Sequence, residues 1–220
     1  MSHMQNEIQK LKKTILNLGK SVEDTLQMAV TALEQRDQIL AQRVIEQDEN
    51  VDRAEVELEE DCLKILALHQ PVANDLRFVV SVLKINNDLE RIGDLAVNIA
   101  ERAIRLASHP NVNIPFDFSS MADKVQAMLR NTLKAVVNMD LSQAQQVSEA
   151  DDEIDTLHSS VYDIVSASIR KDVDNIDSYI QFIVISRALE RIADHATNIA
   201  EDVVYMIEGE IVRHAPIVKK

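Results

Sequence analysis

An internal repeat restricts this chain more than any other feature of its sequence. The thirteen residues from Leu89 to Glu101 match those from Leu189 to Glu201 at ten positions, with a constant offset of 100. A shorter match lies upstream, where Asp48-Glu-Asn-Val-Asp52 parallels Asp151-Asp-Glu-Ile-Asp155 at an offset of 103. Self-similarity of this kind predicts two copies of one supersecondary unit, in the same order in each half.

Helical periodicity runs through nearly the whole chain. Between Ile8 and Leu33, for example, apolar residues recur at spacings of three and four, which marks one face of an α-helix. Only three Gly and four Pro occur in 220 residues, too few for the turns of a β-rich or α/β fold. The pattern predicts six long helices, over about 8–33, 39–68, 74–107, 119–139, 141–171 and 176–211. Ser119 and Ser120 are the expected caps of the fourth helix.

The predicted fold class is all-α, with two tandem, pseudo-symmetric three-helix bundles built from six long antiparallel helices. The stretch from 108 to 118 holds two prolines and breaks the helical period, so we interpret it as a linker. It separates a first three-helix repeat, residues 5–107, from a second, residues 119–214. The pattern leaves open whether a pseudo-two-fold axis or simple tandem placement relates the two bundles.

The charge of the chain disfavours several classes of partner. Lys and Arg total 23 against 37 Asp and Glu, a formal charge of −14. Nucleic-acid binding needs a basic footprint, and an anionic membrane surface is disfavoured for the same reason. No apolar stretch is long enough to span a membrane, no signal peptide is visible, and a single cysteine cannot form an internal disulfide. We therefore expect a cytoplasmic protein, without membrane insertion, that binds cations or basic surfaces.

The repeated segments place oxygen-bearing side chains in one stripe on each predicted helix. On a wheel at about 100° per residue, the polar stripe of the first repeat spans only about 80° and contains Glu90, Asp94, Asn98 and Glu101. The stripe of the second repeat contains Glu190, Asp194, Asn198 and Glu201. Carboxylates four residues apart repel each other, and a bound cation turns this repulsion into attraction. Hard oxygen ligands predict Mg, Ca, Mn or Fe at the stripes, which face away from the bundle cores.

Other residues beside the stripes bear on this interpretation. The upstream match supplies weaker candidate ligands, namely Asp48, Asp52, Asp151 and Asp155. They lie towards the start of the second helix of each half, where acidic charge is favourable without any metal. His195 offers an imidazole in the second half only, whereas Arg91 and Arg191 offer the alternative of ion pairs with the carboxylates.

The two copies of the motif resemble the PhoU family of bacterial and archaeal regulators of phosphate uptake. Leu-Glu-Arg-Ile-Gly-Asp begins at Leu89 and Leu-Glu-Arg-Ile-Ala-Asp at Leu189, each followed by Asn-Ile-Ala-Glu, and the resemblance covers residues 5–214. It implies a tandem pair of three-helix bundles that bind metal clusters, iron or zinc among others, on the protein surface. The metal-binding motif residues it implies are Glu90, Asp94, Glu190 and Asp194.

The same resemblance implies a regulatory adaptor and not an enzyme. Such an adaptor would negatively regulate the phosphate regulon by bridging the phosphate-specific ABC transporter and a sensor histidine kinase, and exposed helix faces are compatible with a homodimer. Two departures from the family pattern stand out. Leu95 lies where a His is common, which argues against equal metal affinity in the two halves. Ala193 replaces the usual Gly, with little expected effect because Ala favours a helix.

Two other functions stay open. One is a structural helical module whose stripes serve only solubility and bind no metal. The other is a carboxylate-bridged di-metal enzyme, whose bundle needs Glu-x-x-His pairs that project into the core. The nearest match, Asp155-Thr-Leu-His158, occurs once, and the corresponding residue of the first half is Glu55.

Overall fold

The computed structural model describes residues 3–210, which form six α-helices, one short 3-10 turn and no strand. The helices are α1 (His3–Gln35), α2 (Gln38–His69), α3 (Ala73–Ala107), α4 (Phe118–Asn138), α5 (Leu141–Lys171) and α6 (Ile176–Glu208). The all-α fold predicted from the periodicity is confirmed. The predicted ends of the sixth helix, at Ile211, and of the second repeat, at residue 214, lie outside the described residues.

Aspartate side chains cap three of these helices. Asp37 accepts hydrogen bonds from two backbone N–H groups at the start of α2, and Asp140 does the same for α5. The prediction that Ser119 and Ser120 cap α4 is wrong. The helix begins earlier, at Phe118, so Asp117 is the cap and accepts from the Ser120 N–H at 3.1 Å. The Ser119 hydroxyl donates instead to a carboxylate on α1.

Each half of the chain folds into a three-helix bundle. Helices α1, α2 and α3 pack on one another, as do α4, α5 and α6. Fully buried aliphatic side chains fill both bundles, including Leu26, Leu58 and Ile85 in the first and Leu129, Ile154 and Ile185 in the second. Burying one such side chain contributes roughly 1.5–3 kcal/mol, so amphipathic faces stabilise these helices far more than helix propensity does.

The bundles pack side by side through α3 on α6 and α1 on α4. Both pairs are antiparallel, because residue numbers fall along one helix as they rise along the other. The contacts that show this are Lys84–Asp202, Asp88–His195, Glu34–Ser119 and Glu23–Arg130. Equivalent helices that meet antiparallel are related by a pseudo-two-fold axis perpendicular to them, which resolves the alternative that the sequence leaves open.

A glycine lets α1 approach α4 closely. Gly19 is buried in the middle of α1, and a Cβ atom there would overlap the Leu133 side chain of α4. An ion pair between Arg130 on α4 and Glu23 on α1, at 3.9 Å, also joins these helices. Close packing at Gly19 therefore helps to set the distance between the two bundles.

Side-chain contacts fix the register within each bundle. In the first, Asn86 Nδ2 on α3 donates to the Glu55 backbone oxygen and to Glu55 Oε1 on α2, at 2.9 and 3.0 Å. In the second, His158 Nδ1 on α5 lies 2.8 Å from Ser186 Oγ on α6. These registers bring the acidic segments of α2 and α5 opposite the repeated motifs of α3 and α6. None of the helices in residues 3–210 has an apolar stretch sufficient to cross a bilayer.

Candidate metal centres

A carboxylate cluster lies between α5 and α6. Asp155, Glu190 and Asp194 each offer an oxygen, and these three oxygens all lie within 4.8 Å of one another. Ligands about 2.3–2.6 Å from a calcium-like ion span distances of this order across the ion, so one hard cation fits the trio. The trio joins one residue of the upstream match to the two motif residues of the second repeat.

Asp151 lies one turn before Asp155 and completes this second cluster. Burial, and then the nearby carboxylates led by Asp194, raise the pKa of Asp151 to about 7. Its Oδ1 atom is buried and has no hydrogen-bond partner among the described residues. An ionised carboxylate oxygen in that setting is unfavourable unless a cation or donor meets it.

The first bundle places the equivalent acidic residues between α2 and α3, although among residues 3–210 only the second bundle has three such oxygens within 4.8 Å of one another. Burial, and then Asp52 and Asp94, raise the pKa of Asp48 to about 6. The Oδ1 atom of Asp48 is buried and without a hydrogen-bond partner, as in Asp151. This oxygen lies next to Gly93 on α3, and a Cβ atom at Gly93 would be 3.9 Å from it. The two halves thus share the same orphaned oxygen, at positions related by the repeat.

The motif carboxylates of α3 and α6 are also held in an unfavourable environment for their charge. Burial raises the pKa values of Glu90, Asp94, Glu190 and Asp194, and neighbouring carboxylates add to the shift in each case. Without a counter-ion, negative charges brought this close destabilise the fold. The residues present therefore fit a cation in each cluster, which would reduce the repulsion between its carboxylates and pair its buried aspartate oxygen.

The upstream aspartates lie in the interior of their helices. Asp48 is ten residues beyond the first residue of α2, and Asp151 is ten residues beyond that of α5. Favourable interaction with a helix N-terminus falls off within the first turn, so it does not account for these residues. The expectation that they lie near the helix starts is wrong, and each instead faces the motif of the following helix.

The last two residues of each predicted stripe line grooves between α3 and α6. Asn98 and Glu101 lie one and two turns beyond Asp94, in a groove between α3 and α6 that Arg91 and Arg191 also line. Asn198 and Glu201 line the continuation of this groove, beside Lys84 and Asp88. Asn98 and Glu101 therefore share a groove with Asp94 of the first cluster, whereas Asn198 and Glu201 line a neighbouring groove between the bundles.

His195 and the two arginines lie near the motif carboxylates without forming ion pairs with them among the described residues. His195 is buried, and its Nδ1 lies 2.8 Å from Asp88 Oδ1 on α3, so the ring joins the two bundles. Arg91 and Arg191 form no ion pair with a described residue, although their charge lowers the pKa values of Glu90 and Glu190 slightly against the dominant effect of burial.

Two residues at the ends of the clusters do not stand out in the sequence. Glu55 follows Asp52 on α2, and burial together with nearby carboxylates raises its pKa. His158 follows Asp155 on α5 and lies beside Ser186, one turn before Glu190. Their positions could have been found from the sequence, because Glu55 and His158 are separated by 103 residues, the same offset as the upstream match.

A family model matches both halves of the chain. Its description is PhoU domain, and it matches residues 15–103 and 118–203. The two matches coincide with the two bundles and end on either side of the connection between α3 and α4.

Curated relatives carry consistent names. A protein of Aquifex aeolicus named phosphate-specific transport system accessory protein PhoU homolog is 36% identical over 214 residues, covering 97% of each chain. The Clostridium acetobutylicum protein of the same name is 32% identical over 94% of each chain. The accessory protein PhoU of Escherichia coli K12 is 32% identical over 94% of this chain and 86% of its own length.

Two solved structures share the fold of this chain. The crystal structure of PhoU from Pseudomonas aeruginosa has a TM-score of 0.90 at 34% identity, covering 94% of this chain and 100% of that one. PhoU from Streptococcus pneumoniae, a phosphate transport system regulatory protein, has a TM-score of 0.85 at 30% identity, covering 96% and 99%. Sequence, repeat organisation and fold agree in both halves, and the chain belongs to the PhoU family.

Proposed function

We propose that this chain is a metal-binding regulatory adaptor of phosphate transport. It negatively regulates phosphate uptake and phosphate-regulon signalling in the cytoplasm, linking the phosphate ABC transporter to a sensor histidine kinase. The observation that carries the metal-binding part is the carboxylate trio of the second bundle, together with a buried aspartate oxygen in each half that has no partner among the described residues.

The regulatory part is supported by family membership and by the names of the relatives. Those relatives are named accessory proteins of the phosphate-specific transport system, which fits an adaptor without an activity of its own. The clusters support it physically, since a bound cation would lower the local negative charge at the surface of an acidic molecule. Metal occupancy would then change the surface that a kinase or transporter component meets.

Metal binding is tested first. Protein purified without chelator is analysed for iron, zinc, manganese, magnesium and calcium, alongside a variant carrying Asp94→Asn and Asp194→Asn. Asp163→Asn is the matched control, because Asp163 is exposed on α5 outside the cluster. We expect bound metal in the wild type and the control, and at least a tenfold loss of affinity in the double variant. Equal metal content in all three proteins would contradict the assignment of the ligands.

Partner binding is tested with the same set of proteins. The cytoplasmic part of the kinase and the ATP-binding component of the transporter are immobilised in turn, with and without metal. We expect retention of wild type and Asp163→Asn, and a phosphate-responsive reporter that stays repressed in high phosphate only with these two. Retention and repression that persist in the Asp94→Asn/Asp194→Asn variant would favour the structural module that binds no metal.

A further inference from the structure

The repeat relates the residues of the two clusters to one another, but one pair of corresponding positions holds different residue types. Asp48 corresponds to Asp151 and Asp52 to Asp155, so both clusters begin with the same pair of aspartates. One turn further along, Glu55 in the first half corresponds to His158 in the second. The helices opposite carry Asn86 and Ser186 at corresponding positions, and each contacts the residue in question.

The imidazole of His158 is held in one orientation. Its Nδ1 atom lies 2.8 Å from Ser186 Oγ, its ring packs edge-on against Tyr162 at a centroid distance of 5.3 Å, and the side chain is half-buried. The other ring nitrogen, Nε2, has no hydrogen-bond partner within residues 3–210. A metal-binding histidine usually has this arrangement, with one nitrogen engaged by the protein and the other left for the ion.

His158 extends the second cluster along both helices. It follows Asp155 by three residues on α5, and its partner Ser186 precedes Glu190 by four residues on α6. It therefore lies one helical turn beyond the trio of Asp155, Glu190 and Asp194, at the end of the cluster opposite Asp151. A second ion, or an ion displaced toward this end, would meet a nitrogen donor.

The same end of the first cluster offers only oxygen. Glu55 Oε1 accepts a hydrogen bond from Asn86 Nδ2 at 3.0 Å, which leaves Oε2 for an ion. Glu55 lies close enough to Asp52 and Glu90 for their charges to act on one another. The first half thus offers five carboxylates along these two helices, whereas the second offers four, three of them with oxygens within 4.8 Å of one another, and an imidazole one turn beyond that trio.

We infer that the two centres select different metal ions, with His158 as a nitrogen ligand that draws zinc-like ions to the second centre and Glu55 favouring manganese or magnesium at the first. This inference rests on the proposed metal-binding function. Imidazole suits Zn, Fe and Ni, whereas carboxylates suit Mg, Ca and Mn. One chain would then bind two different metal ions at the same time, one at each centre.

The test isolates each centre in the full-length, metal-free protein. Asp94→Asn leaves the second centre and Asp194→Asn leaves the first, and each variant is titrated separately with Zn²⁺ and Mn²⁺ by calorimetry. We expect the ratio of zinc to manganese affinity to be at least tenfold higher in the Asp94→Asn protein. Adding His158→Gln to that protein should remove this preference, while adding Glu55→His to the Asp194→Asn protein should create it.

A spectroscopic readout accompanies the titrations. Pulsed electron paramagnetic resonance of Cu²⁺ bound to the Asp94→Asn protein should show coupling to an imidazole nitrogen, and His158→Gln should abolish it. Equal ion preferences in the two single-centre proteins, or nitrogen coupling that survives His158→Gln, would overturn the inference while leaving metal binding intact. Absence of binding in both proteins would overturn the proposed metal-binding function and this inference with it. The gain expected from Glu55→His keeps the test decisive even where His158→Gln fails to fold.

Discussion

His195 in the second bundle and Asp88 in the first form a hydrogen-bonded pair, with Nδ1 and Oδ1 separated by 2.8 Å. Both side chains are largely buried, at 9% and 14% exposure. The repeat relates these positions to Leu95 and Ala188, which are both apolar. At these two positions the acid–base pair therefore has no counterpart on the other side of the pseudo-two-fold axis.

Removal of one member of this pair should destabilise the protein more than removal of both. Asp88→Ala leaves the imidazole without its partner in a buried position, and we expect a loss of about 1–3 kcal/mol in the free energy of unfolding. His195→Leu together with Asp88→Ala reproduces the apolar pair of the opposite side. Urea unfolding of the two single variants and the double variant measures the coupling energy, and strict additivity would show that the pair contributes nothing specific.

A second ionic contact between the bundles should contribute more to the free energy of unfolding than an exposed ion pair does. Lys84 Nζ lies 2.8 Å from Asp202 Oδ1, and the Asp202 side chain is only 9% exposed. Lys84→Met should reduce the free energy of unfolding by about 1–3 kcal/mol, because a buried carboxylate loses this cation. Lys64→Met is the control, because the ion pair between Lys64 and Glu60 is exposed to solvent. This substitution should change the free energy of unfolding by less than about 1 kcal/mol. Equal effects of the two substitutions would contradict the importance of the inter-bundle pair.

The stability of the metal-free protein should fall as the pH rises through the acid range. Asp151 has an ordinary pKa of 3.8 in the unfolded chain and about 7 in the folded one, so between these values the folded state binds more protons. Stabilisation by the protonated form is present below about pH 4 and is lost as the pH approaches 7.

The Asp151→Asn variant isolates this contribution. Its free energy of unfolding relative to wild type should increase steadily between about pH 4 and 7, because the variant has no carboxylate to ionise. Chemical unfolding of both proteins at several pH values, without metal, provides the comparison. Parallel curves for the two proteins would show that Asp151 ionises as freely in the folded state as in the unfolded chain.

Two glycines should respond in opposite directions to the same substitution. Gly93→Ala places a Cβ atom 3.4 Å from Val51 Cγ1, an ordinary contact, and the second half already has Ala193 at this position. We expect a gain of up to about 1 kcal/mol from helix propensity. Gly19→Ala should instead destabilise the protein, since Leu133 must move. Thermal unfolding of both variants tests this contrast, and a loss of stability in Gly93→Ala would contradict it.

The helices could be predicted from the sequence because long amphipathic faces and scarce Gly and Pro allow few other folds. Every predicted helix is present, with ends within a few residues where they are described. The capping error at α4 arose because Asp, Ser and Thr compete for the same role. Which of several neighbouring acceptors reaches the N–H groups depends on the path of the preceding chain.

The candidate site could be predicted only in part. The wheel places Glu90 and Asp94 on one face, but it cannot say which neighbouring helix that face meets. The register of α2 on α3, set by Asn86 and Glu55, decides that Asp48 lies beside Asp94 in the cluster. Contacts between helices that are distant in sequence carry this information, and no single-helix pattern contains it.

The antiparallel contact of α3 with α6 also has an evolutionary consequence. Two copies of a single-repeat ancestor associating through this face would present each residue on both sides of the axis, so every change would appear twice. Because both copies lie in one polypeptide, each side can change alone. A single chain can therefore hold an acid–base pair on one side only, and unlike donors at the ends of two otherwise matching carboxylate sets.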